Sequence, residues 1–223
     1  VLKGAAGSGF AIAETLSRAT PLIFTGLAVA IAFRTRLWNI GADAQLYAGA
    51  IITVLLGTGA LPLPGPILIP VIALAAMLTG GLVLLGTVVL KTRFGVDEVV
   101  TTLLLNFIML LFVSMLLEGP LKDPMGLGWP QSARVSAEAQ WPRLVQGRRV
   151  HLGFPLAILA AVAIWILMAR TVLGYEMRAV GMNAEAARFA GIRVNAVLLK
   201  TALLSGGLAA LAGVSEVSGL KGN

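Results

Sequence analysis

A chain of 223 residues that is 58% hydrophobic and only 12% charged cannot coat a water-facing surface, because a soluble domain carries about a quarter charged residues. The absence of cysteine excludes disulfide frameworks, thiolate metal sites and cysteine nucleophiles. The net charge of +7 comes from basic residues clustered between apolar runs, which reads as the flanks of membrane spans and not as a nucleic-acid surface. The fold class expected is all-α: a polytopic transmembrane helical bundle of about six spans, with lipid as its solvent.

The opening stretch, "VLKGAAGSGFAIAE", has no initiator Met. It also lacks the charged segment and clean apolar core of a signal peptide. The chain is therefore expected to begin inside a longer protein, and it ends abruptly at "GLKGN". The first apolar run is Phe10 to Phe33, with the membrane core placed from about Ala19 and Pro21 because Glu14 and Arg18 precede it. The second runs from Trp38 to Leu56 and opens on "NIGADAQ", where Gly41 lets the helix break. The third, Ile67 to Leu90, follows the stiff turn "LPLPGP". The fourth is Val99 to Leu117. A Pro- and Gly-rich loop, 118–153, comes next; Trp129 and Trp141 in it are interface anchors or packing residues. The fifth run is Phe154 to Ala169 and the sixth Val197 to Val214. In the sixth, Gly206, Ala210 and Gly213 recur at helical spacing, a face that lets two helices approach closely. The runs are continuous, without the alternation of a membrane barrel.

The connections differ in charge. Arg34 and Arg36, Lys91 and Arg93, and Arg170, Arg178, Arg188 and Arg193 fall on alternate connections and so on one side. The positive-inside rule makes that side cytoplasmic. Loop 118–153 then lies outside. Its Lys122, Arg134, Arg143, Arg148 and Arg149 are partly offset by Glu118, Asp123 and Glu138, and basic residues far from span ends count less.

Catalytic equipment is sparse. His151 has no partners for a metal or a catalytic pair and reads as loop packing. The sequence holds no Walker-type phosphate loop, no HExxH and no Gly-x-Ser-x-Gly. No cofactor and no enzymatic activity are expected of the chain itself. Polar residues at membrane depth are costly, so they are candidates for function. They are Asn39, Asp43 and Gln45 beside Trp38, and Asn106 one turn after Thr102. These four polar residues are expected to face the bundle interior, where Asp43 also reads as a helix cap and Asn106 as an interhelical hydrogen bond.

Between the last two runs lies "RTVLGYEMRAVGMNAEAARFAGIRV". Asn183 suits an N-cap, "AEAARFA" favours helix, and Gly191 suits the left-handed stop. A helix of about two turns is marginal alone and needs a partner surface. Ala186 and Ala190, one turn apart, permit close approach; Glu185 and Arg188 pair or reach outward. The segment reads as a plug for another protein's groove or as a capped loop helix.

That stretch resembles the cytoplasmic coupling segment of ABC importer permeases, in the branched-chain amino acid and simple-sugar permease superfamily. "ATPLIFTGLAVAIAFRTRLWNIGADAQLYAGA", and "GVDEVVTTLLLNFI" followed by "GPLKDP", resemble blocks of its nucleoside and simple-sugar branch. Arg36, Asp43 and Asp97 depart from the usual Gly, Glu and Asn. The resemblance implies a single permease domain over 1–223, a piece of a longer permease, in a bacterial or archaeal plasma membrane. It implies ATP hydrolysis on separate cytoplasmic ATPase subunits, a second permease subunit, and an extracytoplasmic binding protein. The cargo implied is a nucleoside or related small polar solute; a sugar or branched-chain amino acid permease, or an ATP-independent channel or carrier, is the alternative. Coupling would fall to the 171–195 segment, with Gly174, Gly181 and Gly191 marking its turns and Arg178, Asn183, Glu185, Ala186, Ala187, Arg188 and Ala190 along it. Trp38, Asn39, Asp43, Gln45 and Asn106 would line the solute pathway.

Overall fold

The computed structural model describes residues 7–144 and 150–221, so the opening six residues, Arg148, Arg149 and the last two residues lie outside it. Eight α-helices follow in order: α1 Gly9–Arg34, α2 Ala42–Gly57, α3 Gly65–Phe94, α4 Glu98–Glu118, α5 Gly153–Arg170, α6 Val172–Met182, α7 Ala184–Phe189 and α8 Val194–Val214. A π-helical turn, Ser215–Lys221, continues α8. Among the described residues the only strand-like features are isolated bridges, Lys122 with Ser132 and Arg143 with His151.

Among the described residues, five helices are long and apolar enough to cross a membrane: α1, α3, α4, α5 and α8 with its extension. The second apolar run forms only a 16-residue helix, about 24 Å at 1.5 Å per residue, short of a ~30 Å hydrocarbon core. Trp38 to Gly41, expected inside that span, lie outside the helix. At the first span the helix begins earlier than the expected core and runs through Pro21. Glu14 and Arg18 are accommodated there by an i,i+4 ion pair of 2.9 Å.

The bundle is built around α8. In its most apolar window 72% of residues are buried, against 6% for α4. The sequence reason is the small-residue face. A Cβ on Gly206 would overlap the Gly80 carbonyl of α3, and one on Gly213 would overlap the Leu46 carbonyl of α2. Backbones thus approach without side chains between them, which is how membrane helices gain packing contact where lipid removes the hydrophobic drive. Phe24, Ala28 and Ile31 of α1 and Leu84 and Val88 of α3 close the core with Val197, Leu198 and Ala202 of α8.

The ends are distinct. One gathers Arg34, α6 and α7, with Lys91 of α3 paired to Glu98 of α4. Asp97 caps α4 by accepting from the Val99 and Val100 amides at 2.7 and 3.1 Å. The other end carries the loop before α5. There the Ser136 amide donates to the Gly57 carbonyl at 2.7 Å and the Trp141 amide to the Ser218 carbonyl at 3.0 Å. Trp141 is a packing residue, buried beside His151, whereas Trp129 is exposed.

Candidate translocation and coupling sites

After α1 the chain does not leave the bundle. Thr35, Leu37, Asn39 and Gly41 are buried in the stretch that leads back to α2. α2 therefore begins about 12 Å along α4, counted from Glu98 at 1.5 Å per residue, where Asn106 meets it. Non-helical backbone is tolerated at such depth only inside protein or beside water. The N-cap residue, Gly41, has no side chain to satisfy the first amides. Asn106 of α4 supplies the missing cap: its Oδ1 accepts from the Ala44 amide at 3.0 Å and its Nδ2 donates to the Ile40 carbonyl at 3.0 Å. Thr102 packs against Gly41, and a Cβ there would stand 3.0 Å from the Thr102 Cβ.

The pathway candidates separate at this break. Asn39 and Gln45 exchange two amide hydrogen bonds of 2.9 Å, and the Asn39 Nδ2 also donates to Ser205 Oγ at 3.2 Å. Ser205 in turn donates to the Ala28 carbonyl of α1 at 2.8 Å. All three side chains are fully enclosed, so this knot ties α1, α2 and α8 together. Asp43, expected inside, is instead exposed in the first turn of α2, where the helix dipole favours a carboxylate. Asn106 is half-buried next to it. Trp38 packs edge-on against Phe33, with ring centroids 4.9 Å apart, and keeps one side exposed.

A cavity of about 600 Å³ lies between α2 and α4 at the opposite end of the bundle from α6 and α7. Tyr47, Ile51 and Val54 of α2, Val113 and Leu117 of α4, and Asp123, Gln131 and Arg134 of the loop line it. The loop residues of this cavity escaped the sequence reading, because their convergence needs the 119–135 turn to fold back over α2 and α4.

At the other end, α7 forms where the sequence places it. Asn183 Oδ1 accepts from the Glu185 and Ala186 amides, both at 3.0 Å. The helix closes at Gly191, whose φ is +85°. The Gly191 amide donates to the Arg188 carbonyl and the Ile192 amide to the Ala187 carbonyl, both at 3.0 Å, the paired bonds of a Schellman stop. Ala187 faces the bundle; Ala186 and Ala190 face out. Glu185 and Arg188 reach outward, and among the described residues they make no ion pair with each other. The sequence reading passed over Phe189, which is 95% exposed, and Met182, 72% exposed; both stand in the quoted stretch as apolar residues on a charged segment.

Gly174 and Gly181, expected from the sequence to mark turns, do not mark them. Both lie inside α6, a helix the sequence reading did not separate. They are points of contact: a Cβ on Gly174 would overlap the Leu167 carbonyl of α5, and one on Gly181 the Arg34 carbonyl of α1. Arg178 donates to the Met168 carbonyl at the end of α5. The sequence signal for α6 was Leu173, Met177 and Val180, apolar at helical spacing, with Met177 and Val180 buried.

A family model described as branched-chain amino acid transport system / permease component matches residues 11–222. The chain belongs to this family. The permease-family chain is 39% identical over 225 residues to a glucose ABC transporter permease protein of Haloferax volcanii, covering 96% of this chain and 59% of that one. It is 37% identical over 218 residues to a guanosine ABC transporter permease protein of Bacillus subtilis, covering 96% and 61%. A nucleoside ABC transporter permease protein of Lactococcus lactis is 32% identical over 217 residues, covering 94% and 60%. The chain thus spans about three fifths of the length of these relatives. No solved structure matches it. With relatives in bacteria and an archaeon and five spanning helices, the permease-family chain is a multi-pass plasma-membrane protein.

His151 has a structural place in this permease-family chain. It is 1% exposed, its Nδ1 accepts from the Gly153 amide at 3.1 Å, and its ring meets Trp141 edge-on. Burial lowers its pKa from the ordinary 6.5. Its Nε2 has no hydrogen-bond partner among the described residues.

Proposed function

We propose that the chain is the membrane-spanning permease subunit of an ATP-driven importer for nucleosides or related small polar solutes. Arg34, Lys91, Arg93, Arg170, Arg188 and Arg193 lie toward the α6–α7 end, which the positive-inside rule makes cytoplasmic; the 118–153 loop then faces outward. The observation that carries the reading is α7: a short helix, capped at both ends, that presents Phe189 to solvent beside the spans. A nearly naked Phe on a charged, rigid segment suits a groove on another protein. We assign that groove to a cytoplasmic ATPase subunit, one of two, working with a second permease subunit and an extracytoplasmic binding protein.

The geometry describes how work would pass. Force on α7 moves α6 through their single-residue junction at Asn183. α6 is seated on α5 at Gly174 and Arg178, and on the end of α1 at Gly181. α1 reaches the start of α2 through the Ser205–Asn39–Gln45 knot. A push at α7 therefore arrives at the break where α2 begins.

The likeness to a glucose permease at 39% identity favours a sugar as the second cargo reading. Uptake of labelled guanosine, glucose and leucine in cells with and without the gene decides between cargoes. In the same cells, Phe189→Ser and Ala186→Trp are expected to lose co-purification of the ATPase and uptake while inserting normally. Glu185→Arg, which adds only a like-charge pair worth a few tenths of a kcal/mol, is expected to keep both. Normal uptake and ATPase retention by both Phe189→Ser and Ala186→Trp would make α7 an ordinary loop helix.

A further inference from the structure

The 600 Å³ cavity falls within the size range of small-molecule sites, about 300–1,000 Å³. Its walls on α2 and α4 are apolar apart from Tyr47, and its charged groups are Asp123 and Arg134 of the loop. Among the described residues the Arg134 guanidinium makes no ion pair or hydrogen bond, and neither does the Tyr47 hydroxyl. The Asp123 carboxylate is held in place by the Met125 amide at 2.9 Å and, more loosely, by the Gln131 side-chain amide at 3.3 Å, leaving acceptor capacity on both oxygens. The two charges are opposite, so the cavity carries no net charge to select an ion.

We infer that this cavity is the outer receiving site for the solute, and that it selects a neutral, hydroxyl-rich molecule with one flat apolar face; the inference rests on the import reading above. A vicinal diol donates to the free lone pairs of Asp123. Arg134 donates to a ring or carbonyl oxygen. Val54, Val113 and Leu117 pack the apolar face. The exit is built into the same two helices. Asp43 lies one turn before Tyr47 on α2, and Asn106 two turns before Val113 on α4, so polar residues recur on the two helices between the cavity and the broken start of α2. Asp43 is exposed; a carboxylate at that depth is costly against hydrocarbon, and a water-filled path from the cavity removes the cost.

The test uses the full-length transporter with its ATPase and binding protein in membrane vesicles. Asp123→Asn and Arg134→Gln are expected to raise the KM for labelled guanosine or glucose at least about tenfold, the loss of one charge-assisted hydrogen bond. Lys122→Gln, next to Asp123 but outside the cavity lining, is expected to leave it unchanged. Ile51→Cys is expected to react with a water-soluble thiol reagent, and millimolar guanosine or glucose to slow that reaction several-fold. If the wild type imports the probe but neither slows labelling, or if Lys122→Gln matches Arg134→Gln, the cavity is not the receiving site and the import reading stands. If the wild type imports no neutral solute, the import reading falls and takes this site with it.

Discussion

Asn106 shows how one side chain can hold a membrane helix together at its weakest point. A helix start has four amides without intrahelical acceptors. A Gly at the cap position leaves the task to a neighbour, and the neighbouring helix answers with an amide that both accepts and donates. Asn39 is handled the same way, its amide fully used by Gln45, Ser205 and the Gly41 N–H. His151 is handled differently: among the described residues its buried ring, like the Ser218 hydroxyl, keeps a polar atom unserved. Its lowered pKa means the unfolded chain takes up a proton that the folded one refuses. Stability is complete above the ordinary value of 6.5 and is lost as pH falls below it. The melting temperature in detergent is expected to drop between neutral pH and pH ~5. His151→Phe, which keeps the ring against Trp141 and removes the titration, is expected to flatten that drop. An equal drop in the variant would assign the acid sensitivity to other groups.

The decisive contacts between elements are backbone against backbone. α8 meets α3 at Gly80 and Gly206 and meets α2 at Gly49 and Gly213. Side chains there would be wedges. Gly206→Leu would force α3 and α8 apart at the centre of the bundle, where overpacking costs about 1–3 kcal/mol or more. The expected result is loss of folded protein from the membrane fraction and rapid proteolysis. Gly86→Leu, on α3 where nothing stands within 4 Å, is the matched control and is expected to be tolerated. α7 obeys a different rule. Its six residues cannot sustain a helix alone, so the Asn183 cap, the Gly191 stop and the buried Ala187 hold it in place.

The molecule as a whole is arranged as two working ends joined by a tied core. The α6–α7 end exposes Met182 and Phe189, and the far end holds a cavity with unpaired polar groups. Between them, α1, α2 and α8 are knotted at Asn39, Gln45 and Ser205. If movement at α7 reaches the core through α6, the seat of α6 on α1 is the link to break. Gly181→Ala places a methyl against the Arg34 carbonyl and Thr35 Cα and is expected to displace α6. Measured in vesicles holding the assembled importer, solute carried per ATP hydrolysed should fall several-fold while hydrolysis itself persists. An unchanged ratio would show that coupling bypasses this seat.

The amino-acid sequence by itself determined the membrane class, the approximate runs and the cap and stop of α7. Each follows from a local rule: hydropathy summed over one span, or a side chain that reaches an amide two or three residues away. The tertiary structure decided the rest. That α2 starts deep in the bundle depends on Asn106, 62 residues from the amide it caps. That Gly174 and Gly181 are contact points and not turns depends on which helices press against them. Asp43 was legible as polar and costly, but which way it faces was set by the rotation of α2 about its axis, fixed by Gly49 against α8. The cavity draws on Tyr47, Val113 and Arg134 together, and no period in a sequence links residues that meet only because three separate segments pack.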